Sequence, residues 1–261
     1  MDPLPSDIAT PSFAPQDQSS CAVWGPFATL AWTVLIAIVF IVVQFAASLF
    51  YFAATMFDRP RGPMASAATE LKFDGVFLSV CTFATLFFCA PLIIVIVKLK
   101  PGARIRDYLA LNFPRARQVW RWTLVTIAFC LLTDAILMLF QQPTVPEFMN
   151  KVYSTMHPRW VLWLALAVGA PLFEELCFRG FIFTGLAASR LQWYGAAVIT
   201  SVLWAAIHVQ YDWYGVSFVF GLGLLLGTVR AKTNSVVLTM WLHCLTNIIA
   251  TLETAIALRQ L

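Results

Sequence analysis

Ionisable and amide side chains occur inside three otherwise apolar stretches of this sequence: Glu174, Glu175 and Arg179 in PLFEELCFRG, His208 in WAAIH, and His243 and Asn247 in HCLTN. A carboxylate can remove a proton from water, an imidazole can orient that water, and an imidazole or amide N–H can stabilise a developing negative charge. These residue types therefore suit hydrolysis by an activated water, without a serine or cysteine nucleophile.

Helical spacing predicts which of these groups are partners. Glu175 and Arg179 are four residues apart with the acid before the base, so they can form an ion pair and leave Glu174 available. His243 and Asn247 are also four residues apart and share a helix face. An unpaired carboxylate at position 174 is then free to act as a general base toward water.

The composition is that of a membrane protein. Hydrophobic residues make up 60% of the 261 residues and charged residues only 11%, and the mean hydropathy is +0.79. An ionisable group inside a membrane costs at least about 2.5–3.5 kcal/mol on insertion scales, so each one is expected to have a partner or a task. Asp134 matches no catalytic pattern, and we expect it to bond a backbone or hydroxyl group.

Several classes of protein are excluded by composition. No basic patch typical of nucleic-acid binding is present, and the six cysteines lack the paired spacing of a disulfide framework. Residues 1–21 contain no Lys or Arg, so they lack the basic region of a secretory signal peptide and are predicted to be a disordered tail.

Uncharged runs predict an all-α polytopic bundle of about seven membrane helices, within a range of six to eight. The first four spans cover roughly 27–51, 75–97, 122–140 and 160–188. Turn-forming or polar residues near positions 190–194, 212–215 and 232–234 divide the rest of the chain into three further spans. Gly223 and Gly227 predict close helix packing in the sixth span.

Charge and depth give these helices an orientation. The basic amphipathic loop 98–121 suits an anionic membrane surface, and the excess of Lys and Arg on that side predicts a cytoplasmic N-terminus. Glu174 and His208 each lie about 25 Å along the helix from the turn that joins them, and His243 and Asn247 lie at an overlapping depth of about 16–22 Å. Aromatic residues from Tyr211 to Tyr214 suit an interfacial belt.

Three short motifs carry a family resemblance. EELCFRG resembles the E-E-x-x-x-R motif of the CPBP family of intramembrane proteases, which are relatives of the CAAX prenyl endopeptidases and of Abi-type bacteriocin-processing and immunity proteins. WAAIH is similar to the family's F-x-x-x-H motif, with Trp204 where Phe is usual, and HCLTN is similar to its H-x-x-x-N motif. The resemblance covers about 160–250. Composition, uncharged runs and this resemblance together predict a tail 1–21, a helical part 22–158 and a CPBP-like catalytic bundle 159–258.

This resemblance implies roles for individual residues. Glu174 would be the general base on a water shared with His208, and His243 with Asn247 would stabilise the oxyanion. A second interpretation makes Glu174, His208 and His243 ligands of a divalent cation such as zinc, although the H-E-x-x-H motif is absent. The residues expected to support the site are Glu175, Arg179 and Trp204.

The leading hypothesis is a glutamate-dependent intramembrane endopeptidase or metalloprotease, a multi-pass protein of the cell (inner) membrane that acts on a membrane protein or peptide. The main alternative is a non-catalytic CPBP-type scaffold for bacteriocin immunity, secretion or partner binding. A transporter is a third hypothesis because intramembrane acids and histidines also form proton relays. No inverted repeat of the kind found in many transporters is visible between the two halves.

Overall fold

The computed structural model describes residues 21–55 and 71–259, and within these ranges the chain is helical with no strand. The helices are α1 (Pro26–Thr55), α2 (Gly75–Lys98), α3 (Ile105–Tyr108), α4 (Ala116–Leu139), α5 (Glu147–Thr155), α6 (Arg159–Ala187), α7 (Gln192–Ala206), α8 (Trp213–Thr233) and α9 (Val236–Ala257). The all-α prediction is confirmed. Residues 1–20 of the predicted tail lie outside the described residues.

Helix α7 is shorter than the helices that could cross a membrane. In the described part of the chain, six helices are long and apolar enough to cross a membrane, namely α1, α2, α4, α6, α8 and α9. The polytopic prediction is therefore confirmed. The predicted fifth span is only the 15-residue α7, which is shorter than the roughly 20 residues that a bilayer requires. The predicted division of the chain at 158 and 159 stays a prediction.

Polar caps fix where the later helices begin and end. Asp212 accepts a hydrogen bond from the backbone N–H of Gly215 at the start of α8, and Ser235 accepts one from Leu238 at the start of α9. Asn234 ends α8 in the left-handed conformation, with φ 48°. These caps satisfy backbone groups that a helix terminus leaves free, so α8 and α9 are joined by a two-residue turn.

Small residues allow α7 and α8 to approach closely. A Cβ atom added at Gly223 would lie 2.9 Å from the Ser201 Cβ, and one added at Gly227 would lie 2.8 Å from the Ala197 Cβ. The packing role predicted for both glycines is confirmed. This contact holds the short α7 against the full-length α8.

Gly227→Ala is expected to destabilise the protein. Its new methyl group would overlap Ala197, and overpacking of this kind costs about 1–3 kcal/mol, which exceeds the gain of about 0.8–1 kcal/mol in helix propensity. Thermal unfolding in detergent should therefore show a lower midpoint. Gly25→Ala is the matched control, because a Cβ at Gly25 meets no atom within 4 Å. Equal midpoints for the two variants would contradict the packing argument.

The basic loop differs from its prediction in where its apolar residues lie. Tyr108 and Leu109 are fully buried in the protein rather than facing lipid. Thr184 of α6 donates a hydrogen bond to the Tyr108 carbonyl at 2.9 Å, and the Val236 N–H of α9 donates to the Ala110 carbonyl at 2.9 Å. These two hydrogen bonds attach residues 108–110 to α6 and α9, the helices that carry Glu174 and His243.

Candidate active site

Helix α6 presents its two glutamates from a stretch between two π-helical segments. The π segments are Ala165–Gly169 and Leu176–Ile182, and they flank the α-helical segment Ala170–Glu175. A π turn interrupts the regular hydrogen-bond ladder and is frequent at functional sites. Side chains from other helices bond carbonyls in both π segments: Asn247 Nδ2 donates to Leu166 at 2.7 Å and Arg230 Nε to Arg179 at 3.0 Å.

Glu175 and Arg179 form the ion pair that their spacing predicts. Arg179 Nη1 donates to Glu175 Oε1 at 2.9 Å, and both side chains are 0% exposed. Arg179 Nη2 also donates to the Gly223 carbonyl at 3.3 Å. His243 Nδ1 lies 3.0 Å from the same Glu175 oxygen. The carboxylate of Glu175 therefore joins α6 to α9, a contact between helices that sequence spacing did not reveal.

Glu174 has a different environment from its neighbour. Its side chain is 16% exposed, and its Oε2 lies 3.9 Å from His243 Nε2. Trp204 Nε1 donates a hydrogen bond to this oxygen at 2.6 Å. The carboxylate is thus held by one neutral donor while remaining partly accessible, as a group that exchanges a proton with water must be.

His208 lies in the loop after α7 and not inside a helix as the depth estimate assumed. Helix α7 ends at Ala206, and the His208 ring nitrogen Nδ1 is 2.8 Å from the Trp204 carbonyl oxygen. Because a carbonyl only accepts hydrogen bonds, Nδ1 carries the proton of this bond. In the neutral ring, the lone pair is therefore on Nε2.

The same reasoning assigns the proton of His243. Its Nδ1 faces the ionised Glu175 carboxylate, which only accepts, so in the neutral ring the lone pair is on Nε2. That nitrogen faces Glu174. His243 Nε2 can therefore accept a hydrogen bond when the ring is neutral and can donate one only as imidazolium.

Three of the four residues predicted to be catalytic gather around one indole. Glu174 accepts a hydrogen bond from the Trp204 ring. The ring centroids of His208 and His243 lie 5.4 and 5.0 Å from the centroid of that ring. Asn247 is one turn beyond His243 on α9, and its side-chain nitrogen donates to the Leu166 carbonyl. No hydrogen bond links Asn247 to the other three within residues 21–55 and 71–259.

The three residues considered as zinc ligands are not gathered as one ligand set in the described part of the chain. Among the residues described, no three His, Cys, Asp or Glu side chains lie together as metal ligands. Glu174 Oε1 and Nε2 of both histidines accept no hydrogen bond in the described structure, so the divalent cation stays a prediction. No chemical step below is therefore assigned to a metal.

Tyr211 is a neighbour of the site that the sequence interpretation placed in an interfacial belt. Its ring stacks on His208 with centroids 5.9 Å apart and an interplanar angle of 14°, and it meets Phe148 of α5 edge-on at 5.8 Å. Its position three residues after His208 is the sequence feature that could have indicated this contact. Burial raises the pKa of the Tyr211 phenol to about 12, and the negative charge of Glu174 acts in the same direction.

Tyr211 is consequently expected to stay neutral until strongly alkaline pH. Its folded pKa lies above the ordinary value of about 10, so its stabilising contribution is full below pH 10 and disappears as the pH rises through about 12. The absorbance of tyrosinate near 295 nm, measured as wild type minus Tyr211→Phe, should titrate with that higher midpoint. A midpoint near 10 would show that the phenol is solvated.

Asp134 has a carboxyl neighbour that the sequence analysis did not identify. The carboxyl group of Glu253 on α9 lies close enough to act on it electrostatically. Asp134 therefore belongs to a contact between α4 and α9 that is separate from the groups around Trp204.

Fold and site together define a multi-pass membrane protein with a buried cluster of carboxylates and imidazoles. Residues 156–249 match the model of a family described as type II CAAX prenyl endopeptidase Rce1-like. This confirms the resemblance based on the three motifs, and over that stretch the chain is similar to the CAAX protease-like family. The match contains all four residues predicted to be catalytic. Comparisons with curated proteins and with solved structures found no match.

Proposed function

We propose that this protein is an intramembrane endopeptidase that hydrolyses a peptide bond in a membrane-associated protein or peptide. The observation that carries the proposal is the environment of Glu174, which is 16% exposed and 3.9 Å from His243 Nε2. Its contact with Trp204 and the family match over 156–249 add support.

In the proposed reaction, Glu174 removes a proton from a water molecule whose oxygen attacks the carbonyl carbon of the substrate. The lone pair of His208 Nε2 accepts the other hydrogen of that water and orients it. The carbonyl becomes a tetrahedral oxyanion, and the C–N bond then breaks. Protonated Glu174 returns its proton to the leaving amine, which balances the hydrolysis.

The oxyanion requires hydrogen-bond donors. His243 Nε2 supplies one when the ring is imidazolium, with its Nδ1–H directed at the Glu175 carboxylate 3.0 Å away. Asn247 Nδ2 has two hydrogens and uses one of them on the Leu166 carbonyl. We assign its second N–H to the oxyanion, so that the two residues on one face of α9 share this task.

We further propose that the protein functions in the cell membrane with its N-terminus on the cytoplasmic side, because Lys and Arg are concentrated in and near 98–121. Its substrate would reach the site from the lipid bilayer. The partly exposed Glu174 and the loop that carries His208 offer water a route to the same place.

The test is hydrolysis by the purified protein in liposomes. The probes are a farnesylated peptide ending in a CAAX-type sequence and the same peptide without the farnesyl group, each with a quenched fluorophore. Cleavage of either probe, with fragments identified by mass spectrometry, is the expected result, and the ratio of the two rates reports dependence on the lipid group. A folded protein that binds the probes and cleaves neither would favour the scaffold alternative and overturn the protease proposal.

A further inference from the structure

We propose that Trp204 is a positioning residue that holds both the carboxylate and one imidazole of the hydrolytic site, an inference that rests on the proposed function. Its indole N–H donates to Glu174 Oε2 at 2.6 Å. Its backbone carbonyl accepts from His208 Nδ1 at 2.8 Å. One residue of α7 is thus bonded to the proposed base on α6 and to the ring that orients the water.

The side-chain contact fixes the direction of the Glu174 carboxylate. The terminal torsion of a glutamate is broad, so an unrestrained carboxylate turns freely. A hydrogen bond to an ionised carboxylate is shorter and roughly twice as strong as one between neutral groups. With Trp204 bonded to Oε2, the other oxygen, Oε1, accepts no hydrogen bond from the described residues and remains for water.

The indole itself has little freedom to move. Trp204 is 1% exposed, and the Arg179 guanidinium lies 4.4 Å from the centre of its ring. The His243 ring packs edge-on against another part of it, 5.0 Å between centroids. A donor held on several sides imposes its own geometry on Glu174, because it cannot follow the carboxylate if the latter rotates.

The backbone contact depends on where α7 ends. The last four carbonyls of a helix have no partner within it, and the end of α7 at Ala206 leaves the Trp204 carbonyl among them. His208 Nδ1 donates a hydrogen bond to that carbonyl. A longer helix would have satisfied the carbonyl with a backbone N–H, and the lone pair of His208 would then not be fixed on Nε2.

The N–H contact is a feature of this chain, since Phe is the usual residue at this position of the F-x-x-x-H motif. A phenyl ring would keep the aromatic wall, and the backbone carbonyl would still hold His208. The hydrogen bond to Glu174 would be lost, together with part of the packing of Arg179 and His243 on the larger indole. Trp204→Phe therefore removes the hydrogen bond, and an analogue that keeps the bicyclic ring separates this loss from the change in packing.

The kinetic test compares Trp204→Phe with the wild type on whichever probe peptide the wild type cleaves. Misplacement of a reacting group by about 1 Å can lower a rate about 100-fold, so kcat is expected to fall about 10- to 100-fold while KM changes less than twofold. Trp241→Phe is the matched control, because Trp241 Nε1 bonds a neutral hydroxyl, Thr123 Oγ1, at 3.1 Å. It should retain the wild-type kcat.

A second variant covers the outcome in which Trp204→Phe does not fold. Trp204→benzothienylalanine keeps the bicyclic ring and replaces only the N–H by sulfur, so the same loss of kcat is expected. A wild-type kcat in either folded variant would overturn the positioning role. Absence of hydrolysis by the wild-type protein would instead overturn the proposed function, and the positioning role with it.

A spectroscopic measurement tests the contact without activity. The indole ¹H–¹⁵N resonance of Trp204, assigned by its loss in Trp204→Phe, should lie downfield and move upfield in Glu174→Gln, because a neutral amide oxygen is a weaker acceptor than a carboxylate. The Trp241 resonance should not respond. A Trp204 resonance that ignores Glu174→Gln would overturn the inference whatever the kinetic result.

Discussion

Glu174→Gln is expected to lower kcat for peptide hydrolysis by about 10²- to 10⁴-fold, the usual contribution of a general base. Glutamine has nearly the same shape as glutamate, and its amide oxygen can still accept the hydrogen bond from Trp204. It cannot take a proton from water at neutral pH. The variant should therefore fold and bind substrate normally, with KM close to the wild-type value.

Glu253→Gln is a suitable control for this prediction. It makes the same chemical change on a membrane helix, at a carboxyl group whose neighbour is Asp134 and not Trp204. The control should cleave the probes at the wild-type rate. Full activity in Glu174→Gln, or equal losses in both variants, would contradict a base at position 174, and circular dichroism would establish that each variant is folded.

Local sequence signals were sufficient for features in which one helix fixes the geometry. The Glu175–Arg179 ion pair follows from a spacing of four within α6. Gly223 and Gly227 also share one face of α8, so their role in packing could be predicted without knowing that α7 is the partner. Apolar length alone predicted most of the spans.

Contacts between helices were beyond the sequence argument for a physical reason. The Glu174–Trp204 bond and the Glu175–His243 bond depend on the rotation of α6 relative to its neighbours. Two π segments alter that rotation, and no residue pattern in the sequence predicted them. Depth estimates put the four predicted residues at one level but could not specify which atoms would meet.

Helix termination was the other gap in the sequence argument. Apolar residues continue to Ile207, so His208 was assigned to a regular span although α7 stops at Ala206. The loop 207–212 then brings Tyr211 back onto His208. A similar error affected Tyr108 and Leu109, whose apolar side chains suit lipid and protein interiors equally well.

Arg179→Met is expected to cause the largest loss of stability, about 3–5 kcal/mol, because it leaves the Glu175 charge buried without its main counterion. Both side chains of the pair are 0% exposed, so water cannot replace the guanidinium. Methionine keeps the length and apolar stem of the arginine, which limits any cavity. Unfolding of the purified protein in mixed micelles, followed by circular dichroism at increasing denaturant, measures the change.

The double variant Glu175→Gln/Arg179→Met separates stability from function. Removing both charges eliminates the unpaired ion, and buried pairs replaced by neutral groups are often no less stable than the originals. Glu175 Oε2 and Arg179 Nε are both buried without a hydrogen bond in the described structure, so the native pair is not fully satisfied. The double variant should recover most of the stability lost in Arg179→Met. Hydrolysis should stay low, since the carboxylate that accepts the hydrogen bond from His243 Nδ1 would be replaced by a neutral amide. If activity returned together with stability, the ion pair would serve only the fold, and the donor role of His243 would be wrong.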